Sequence, residues 1–115
     1  LERAQKGVEQ ATRSESQVLA RALSAGPATA GVVSQILREE GMVHRDEFLM
    51  YLDRPREARD LLGKIVAAMD RVRVRAQPVL SPEERERLDR YFADEAGRME
   101  VLVEEIQRAQ TAVKN

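Results

Sequence analysis

The chain has 115 residues, 34 % of them charged and 3 % aromatic, with a formal net charge of −1. That length suits one domain with a single core, and the near-neutral balance points to neither nucleic acid nor a membrane surface. The absence of cysteine excludes disulfides, thiolate zinc sites and cysteine nucleophiles, and no apolar run approaches the roughly 18 residues of a membrane span.

Residues 1–25 read as a first helix. Leu1, Ala4, Val8, Ala11, Glu15, Val18 and Ala22 recur at spacings of three and four, and Leu19 and Leu23 widen the stripe. Gly26-Pro27 stops it, because a residue before proline avoids the helical region and glycine is a common terminator. Residues 28–52 read as a second helix, with Val32, Val33, Ile36, Leu37, Val43, Phe48, Met50, Tyr51 and Leu52 on one broad arc. Gly41 inside it marks either a kink or a break into two shorter helices.

Asp53-Arg54-Pro55 is the next break, with Asp53 as the expected N-cap. A third helix follows over 55–79, built on Ala58, Leu62, Ile65, Met69, Val72, Ala76 and Val79. The alternation in Val72-Arg73-Val74-Arg75 is too short to displace that register. Ser81, Pro82 and Glu84 then form a capping-box start, with Ser81 as N-cap and Pro82 in the first helical position. The fourth helix, 82–114, carries Leu88, Phe92, Glu95, Met99, Leu102, Ile106, Ala109 and Val113 along one seam.

Four such helices joined by short turns predict an all-α fold, an antiparallel up-down-up-down four-helix bundle forming one domain over 1–115. A three-helix arrangement with 43–79 continuous is the alternative, and Pro55 argues against it. The first residue is Leu1, and both ends read as uncapped helix. We therefore expect a piece of a longer or processed protein.

No phosphate-binding glycine loop, nucleophile elbow or His-Glu-x-x-His is present, so no enzyme is expected. Two constellations remain. Glu15, Glu40, His44 and Glu95 fall at similar heights in the predicted bundle, three of them carboxylates that need partners if buried. They form either a polar layer that fixes register or a metal or ligand site. A metal at His44, or a haem with His44 and Met99 as axial ligands, is the sharpest form of that second idea. No cofactor is otherwise expected. Arg21, Arg71, Arg73, Arg75, Arg85 and Arg87 gather at the pole of the Gly26-Pro27 and Ser81-Pro82 turns. Arginine forks suit carboxylates and phosphates, so Arg21, Arg71, Arg75 and Arg85 are candidates for an anion site; the other reading is a rim neutralised by neighbouring acids. Arg54, Arg56 and Arg59 at the opposite turn read as solvated, or as contacts to anionic headgroups should a membrane lie there.

Phe48-Leu49-Met50-Tyr51-Leu52-Asp53-Arg54-Pro55-Arg56-Glu57, followed by a helix, a proline-marked turn and Glu84-Arg85-Glu86-Arg87-Leu88, resembles extracytoplasmic four-helix-bundle sensor domains. These belong to methyl-accepting chemotaxis proteins and sensor histidine kinases, and the chain keeps the Leu, Asp and Pro of their inter-helix turn without its Thr-Gly. The resemblance implies the ligand-sensing domain of a bacterial transmembrane receptor on the periplasmic side of the inner membrane, held there by flanking segments. It also implies a homodimer whose ligand sits between helices near the pole of the Gly26-Pro27 and Ser81-Pro82 turns and whose signal is a small movement of the last helix; with the arginines there, the thing read is expected to be a small-molecule anion or a partner protein. Val79-Leu80-Ser81-Pro82-Glu83-Glu84-Arg85 is similar, in turn, to a turn of periplasmic metal- and envelope-stress helical proteins. From the residues alone, a soluble, cytoplasmic helical adaptor or chaperone that binds a partner helix is the competing expectation, and a metal-dependent helical-bundle oxidase is a third.

Overall fold

The computed structural model describes residues 15–43 and 45–114, and every regular element among them is helical. We number the helices α1 (residues 15–23), α2 (Pro27–Glu39), α3 (Arg45–Leu49), α4 (Pro55–Ala76) and α5 (Pro82–Lys114). A short 3-10 turn, Gln77–Val79, follows α4. The first fourteen residues of the predicted first helix lie outside the described residues, as does His44.

Both α1 and α2 stop by the same backbone device. At the end of α2, Gly41 turns left-handed with φ of 67°. Its N–H donates to the Arg38 carbonyl at 3.1 Å, and the N–H of Met42 reaches back to the Leu37 carbonyl at 2.9 Å. This is a Schellman ending, with a half-buried Met42 against the core on its far side. The predicted second helix is therefore two: the break offered by Gly41 is taken, and residues 28–52 do not run as one rod. At the end of α1, Ser24 plays the glycine's part with φ of 51°. Its N–H donates to the Arg21 carbonyl and the N–H of Ala25 to the Ala20 carbonyl. Gly26, expected to terminate this helix, is extended (φ −70°) and serves as N-cap of α2 without a side-chain bond.

Pro55 and Pro82 open α4 and α5 in the first turn, where a missing N–H costs nothing. The expected capping box forms: the Ser81 N–H donates to Glu84 Oε1 at 2.8 Å, and the Glu84 N–H donates to Ser81 Oγ at 3.2 Å. The N-cap of α4 is Arg54, not Asp53, and makes no cap bond from its side chain. The reason is the run of turns over Met50–Arg54, in which the Arg54 N–H bonds the Tyr51 carbonyl and places Asp53 one residue early.

α4 and α5 run antiparallel along each other. Arg59 near the start of α4 bonds Gln107 late in α5, at 2.6 Å through Nη2, and Arg73 near its end lies 3.0 Å from Asp89 early in α5. α2 packs on α4, and α3 touches both long helices. The core is the set of side chains these contacts enclose: Leu19 and Leu23 of α1, Val33, Ile36 and Leu37 of α2, Phe48 of α3, Ile65, Met69 and Val72 of α4, and Leu88, Phe92, Met99 and Val103 of α5. The α5 seam begins in its predicted phase with Leu88, Phe92 and Met99, then drifts: Val103 is buried where Leu102 was expected, and Ala109 is exposed. In α1 the buried pair is Leu19 and Leu23, while Val18 is 51 % exposed.

A five-residue helix cannot hold itself. α3 is pinned by Phe48, whose ring is wholly buried, and removing such a ring typically costs about 3–5 kcal/mol.

Candidate functional site

Most of the arginines predicted to gather at one pole have partners within the fold. Arg85, in the first turn of α5, donates from Nε to the Gln77 carbonyl at 3.0 Å. Arg87, one half-turn on, donates from Nη1 to the Leu23 carbonyl at 3.1 Å. Helix C-termini present unsatisfied carbonyls and a partial negative charge, so each arginine closes the end of a different helix. Arg73 pairs with Asp70 and Asp89, and its guanidinium lies 5.4 Å from the Phe92 ring centroid. Arg21 is exposed on α1.

Arg71 and Arg75, one turn apart on α4, meet the acidic end of α2. Arg71 Nε donates to Glu40 Oε2 at 2.8 Å; Arg75 donates to Glu40 Oε1 at 3.1 Å and to Glu39 Oε1 at 2.5 Å. The bond from Arg71, with a second from Arg75, holds the Glu40 carboxyl below the usual carboxylate range. Arg75, then Gln35, does the same to Glu39, and the two glutamates raise Arg75 in return. Two of the four arginines proposed for an anion are thus brought together, and the anion they hold is the protein's own. The cluster ties the break after α2 to the last turns of α4. A shallow groove beside it runs over Val74, Leu80 and Leu88 with Arg73 and Arg85 on its rim.

The predicted polar layer divides. Glu40 belongs to the arginine cluster, whereas Glu95 pairs with Arg98 at 3.8 Å and, with Glu15, lies near enough to Tyr91 for its charge to act there. Burial first, then the negative charges of Glu95 and Glu15, push the Tyr91 hydroxyl up, with Arg98 opposing. Among the described residues no three His, Asp or Glu side chains converge as a metal site. Ser34 of α2 is the one buried polar residue among those described, and its Oγ has no hydrogen-bond partner.

The side of α5 opposite its apolar seam carries a second pattern. At about 100° per residue, Glu86, Arg90, Gly97, Glu104 and Arg108 lie within about 20° of a single line along the helix, with Ala93 and Val101 within about 40°. That line lies roughly opposite buried Leu88, Phe92 and Met99. Every residue on it is exposed except Glu104, whose side chain is 43 % exposed. Val101 is 50 % exposed, and a Cβ placed on Gly97 would meet nothing within 4 Å. An open groove lies along one side of this line, lined by Ala93, Gly97 and Val101 and, beyond them, by Asp94, Arg98, Leu102 and Glu105. The signal lay in the polar half of the helical projection: small residues at four-residue spacing between charged ends.

No described helix is long and apolar enough to cross a membrane. No protein family, curated protein or solved structure matches the chain.

Proposed function

We propose that the chain is a non-enzymatic helical adaptor that works by laying a partner helix along the outer face of α5. In this reading the helices form an antiparallel up-and-down bundle, in which α2 and α3 together make the second arm. The observation that carries the proposal is the exposed line Ala93, Gly97 and Val101 on the side of α5 away from the core. Small side chains at four-residue spacing let a second helix approach closely, and a half-exposed valine gives it apolar surface to cover. The arginines support this reading by their occupation: they close helix ends and the α2–α4 joint.

The test is a photoreactive amino acid placed at position 101 in the protein's own host, with position 66 on α4 as an exposed control. The adaptor reading predicts a discrete cross-linked species from position 101 and none from position 66. No product from position 101, or equal products from both, counts against it.

A second reading, the sensor domain of a bacterial transmembrane receptor, is favoured by the relative lengths of the two main helices. α5 has 33 residues against 22 in α4, about 50 Å against about 33 Å. It is the through-running element on which a displacement would travel, and Arg59–Gln107 and Arg73–Asp89 hold it to α4. In that case the coding sequence on both sides of the chain carries apolar runs of about 20 residues. Their absence would remove this reading.

A further inference from the structure

We infer that the helix received by the outer face of α5 is α5 of a second copy of this chain, running antiparallel and crossing at Gly97. This rests on the reading of that face as the contact surface and supplies its occupant.

The charges of α5 are ordered about Gly97. Glu86 stands eleven residues before it and Arg108 eleven after; Arg90 stands seven before and Glu104 seven after; Ala93 and Val101 stand four to either side. A twofold axis through Gly97, perpendicular to the helix, brings each position against the one equally far on the other side. Glu86 then meets Arg108 of the partner subunit, Arg90 meets Glu104 of the partner subunit, and Ala93 meets Val101 of the partner subunit. By symmetry, all four charged contacts are attractive. A parallel pair would instead stack Glu86 on Glu86 and Arg90 on Arg90, which is repulsive at every level.

The same side chains are already half-organised within one copy. Arg90 Nη2 lies 2.7 Å from Glu86 Oε1, and Arg108 Nη2 lies 4.0 Å from Glu104 Oε2. All four side chains are well exposed, between 43 % and 81 %, and such i,i+4 pairs contribute little alone. Pairing the copies turns each couple into a four-membered cluster at one end of the contact. At the crossing point Gly97 has no Cβ, and Ala93 is the next smallest residue, so the backbones approach where the charges leave a gap.

The contact is about 33 Å long and involves one helix per copy. One face of one helix supplies far fewer than the roughly 20–30 residues a side of a standard interface, so the association is weak and concentration-dependent. The purpose it fits is a reversible coupling of two domains whose C-terminal ends then point in opposite directions.

The experiment is sedimentation of the full chain, with Glu86→Arg, Arg108→Glu and the double variant alongside, each checked for unchanged helix content. Wild type is expected to pass from monomer to dimer below about 1 mM, with the midpoint rising at least tenfold as salt screens the clusters. Each single reversal sets like charges against each other at both ends and should weaken dimerisation roughly tenfold or more. The double variant restores every pairing and should recover most of the loss. A wild-type chain that stays monomeric throughout overturns the inference, as does a double variant no better than the singles. The wider adaptor reading fails separately. A monomeric chain that still cross-links from position 101 to another protein keeps the adaptor and loses the second copy. A cross-link from position 101 to residues 1–14 of its own chain removes both.

Discussion

Gly41→Ala decides, by the sign of its effect, whether the chain breaks after α2. With φ of 67° Gly41 sits in the left-handed region, which costs a residue bearing a Cβ about 1–2 kcal/mol. No heavy atom lies within 4 Å of the added Cβ, so the cost is backbone strain without a clash. Alanine also restricts the unfolded chain, which returns roughly 0.4–1 kcal/mol. The net expectation is a loss of about 1 kcal/mol. Were residue 41 inside a continuous helix, alanine would instead gain about 1 kcal/mol over glycine. The two arrangements therefore differ by about 2 kcal/mol and in sign. With about 2.1 cal/mol/K of unfolding entropy per residue, 1 kcal/mol moves the melting temperature of a chain this size by about 4 °C. Ser24→Gly is the matching gain: it relieves φ of 51° and should raise stability by roughly 0.5–1 kcal/mol. Thermal and urea unfolding followed by circular dichroism reads both. A Gly41→Ala variant that melts higher than wild type refutes the break.

Two further outcomes follow from single buried or charged groups. Ser34→Ala removes a hydroxyl that is wholly buried without a partner and improves helix propensity, so it should be neutral or stabilising by about 1 kcal/mol in urea unfolding; a loss beyond that range would mean the hydroxyl has a partner. Glu39 and Glu40 both titrate lower in the folded chain than in the unfolded one. Their stabilisation is then fully present above the ordinary carboxylate range and lost as pH falls through the lower, folded values. Melting temperature should drop on acidification below about pH 4.5, and Glu40→Gln should flatten that drop; an unchanged acid profile in Glu40→Gln would show that the Arg71–Glu40–Arg75 contact does not stabilise the fold.

The long elements were readable because each carries several concordant signals. For α5, the Ser81–Glu84 capping box, Pro82 and the apolar spacing all agree. For α4, Pro55 and a clean three-four rhythm agree, though the cap moved from Asp53 to Arg54. Apolar periodicity failed at the break after α2, because buried residues lie on both sides of it. Val33, Ile36 and Leu37 are buried before the break and Phe48 after it, whereas Val32 and Met50 of the same predicted arc are 44 % and 76 % exposed, so the arc holds only in part. A left-handed serine at 24 has no sequence signature comparable to a glycine, and the neighbouring Gly26-Pro27 supplied a more familiar terminator. The arginine candidates were legible as a cluster. Their partners were not, because a backbone carbonyl at a helix end, such as Leu23 for Arg87, depends on where that helix stops. The outer face of α5 was written in the sequence throughout, but only burial shows which side of a helix is left over.

The most direct measurement is disulfide formation between two tagged populations, Ala93→Cys and Val101→Cys, in a protein that has no cysteine of its own. With α5 meeting α5 antiparallel at Gly97, oxidation of the mixture gives the mixed 93–101 product well above either homodimer. Homodimeric 93–93 and 101–101 products in excess would mean the copies lie parallel, as a pair of receptors in one membrane would, and would contradict the account.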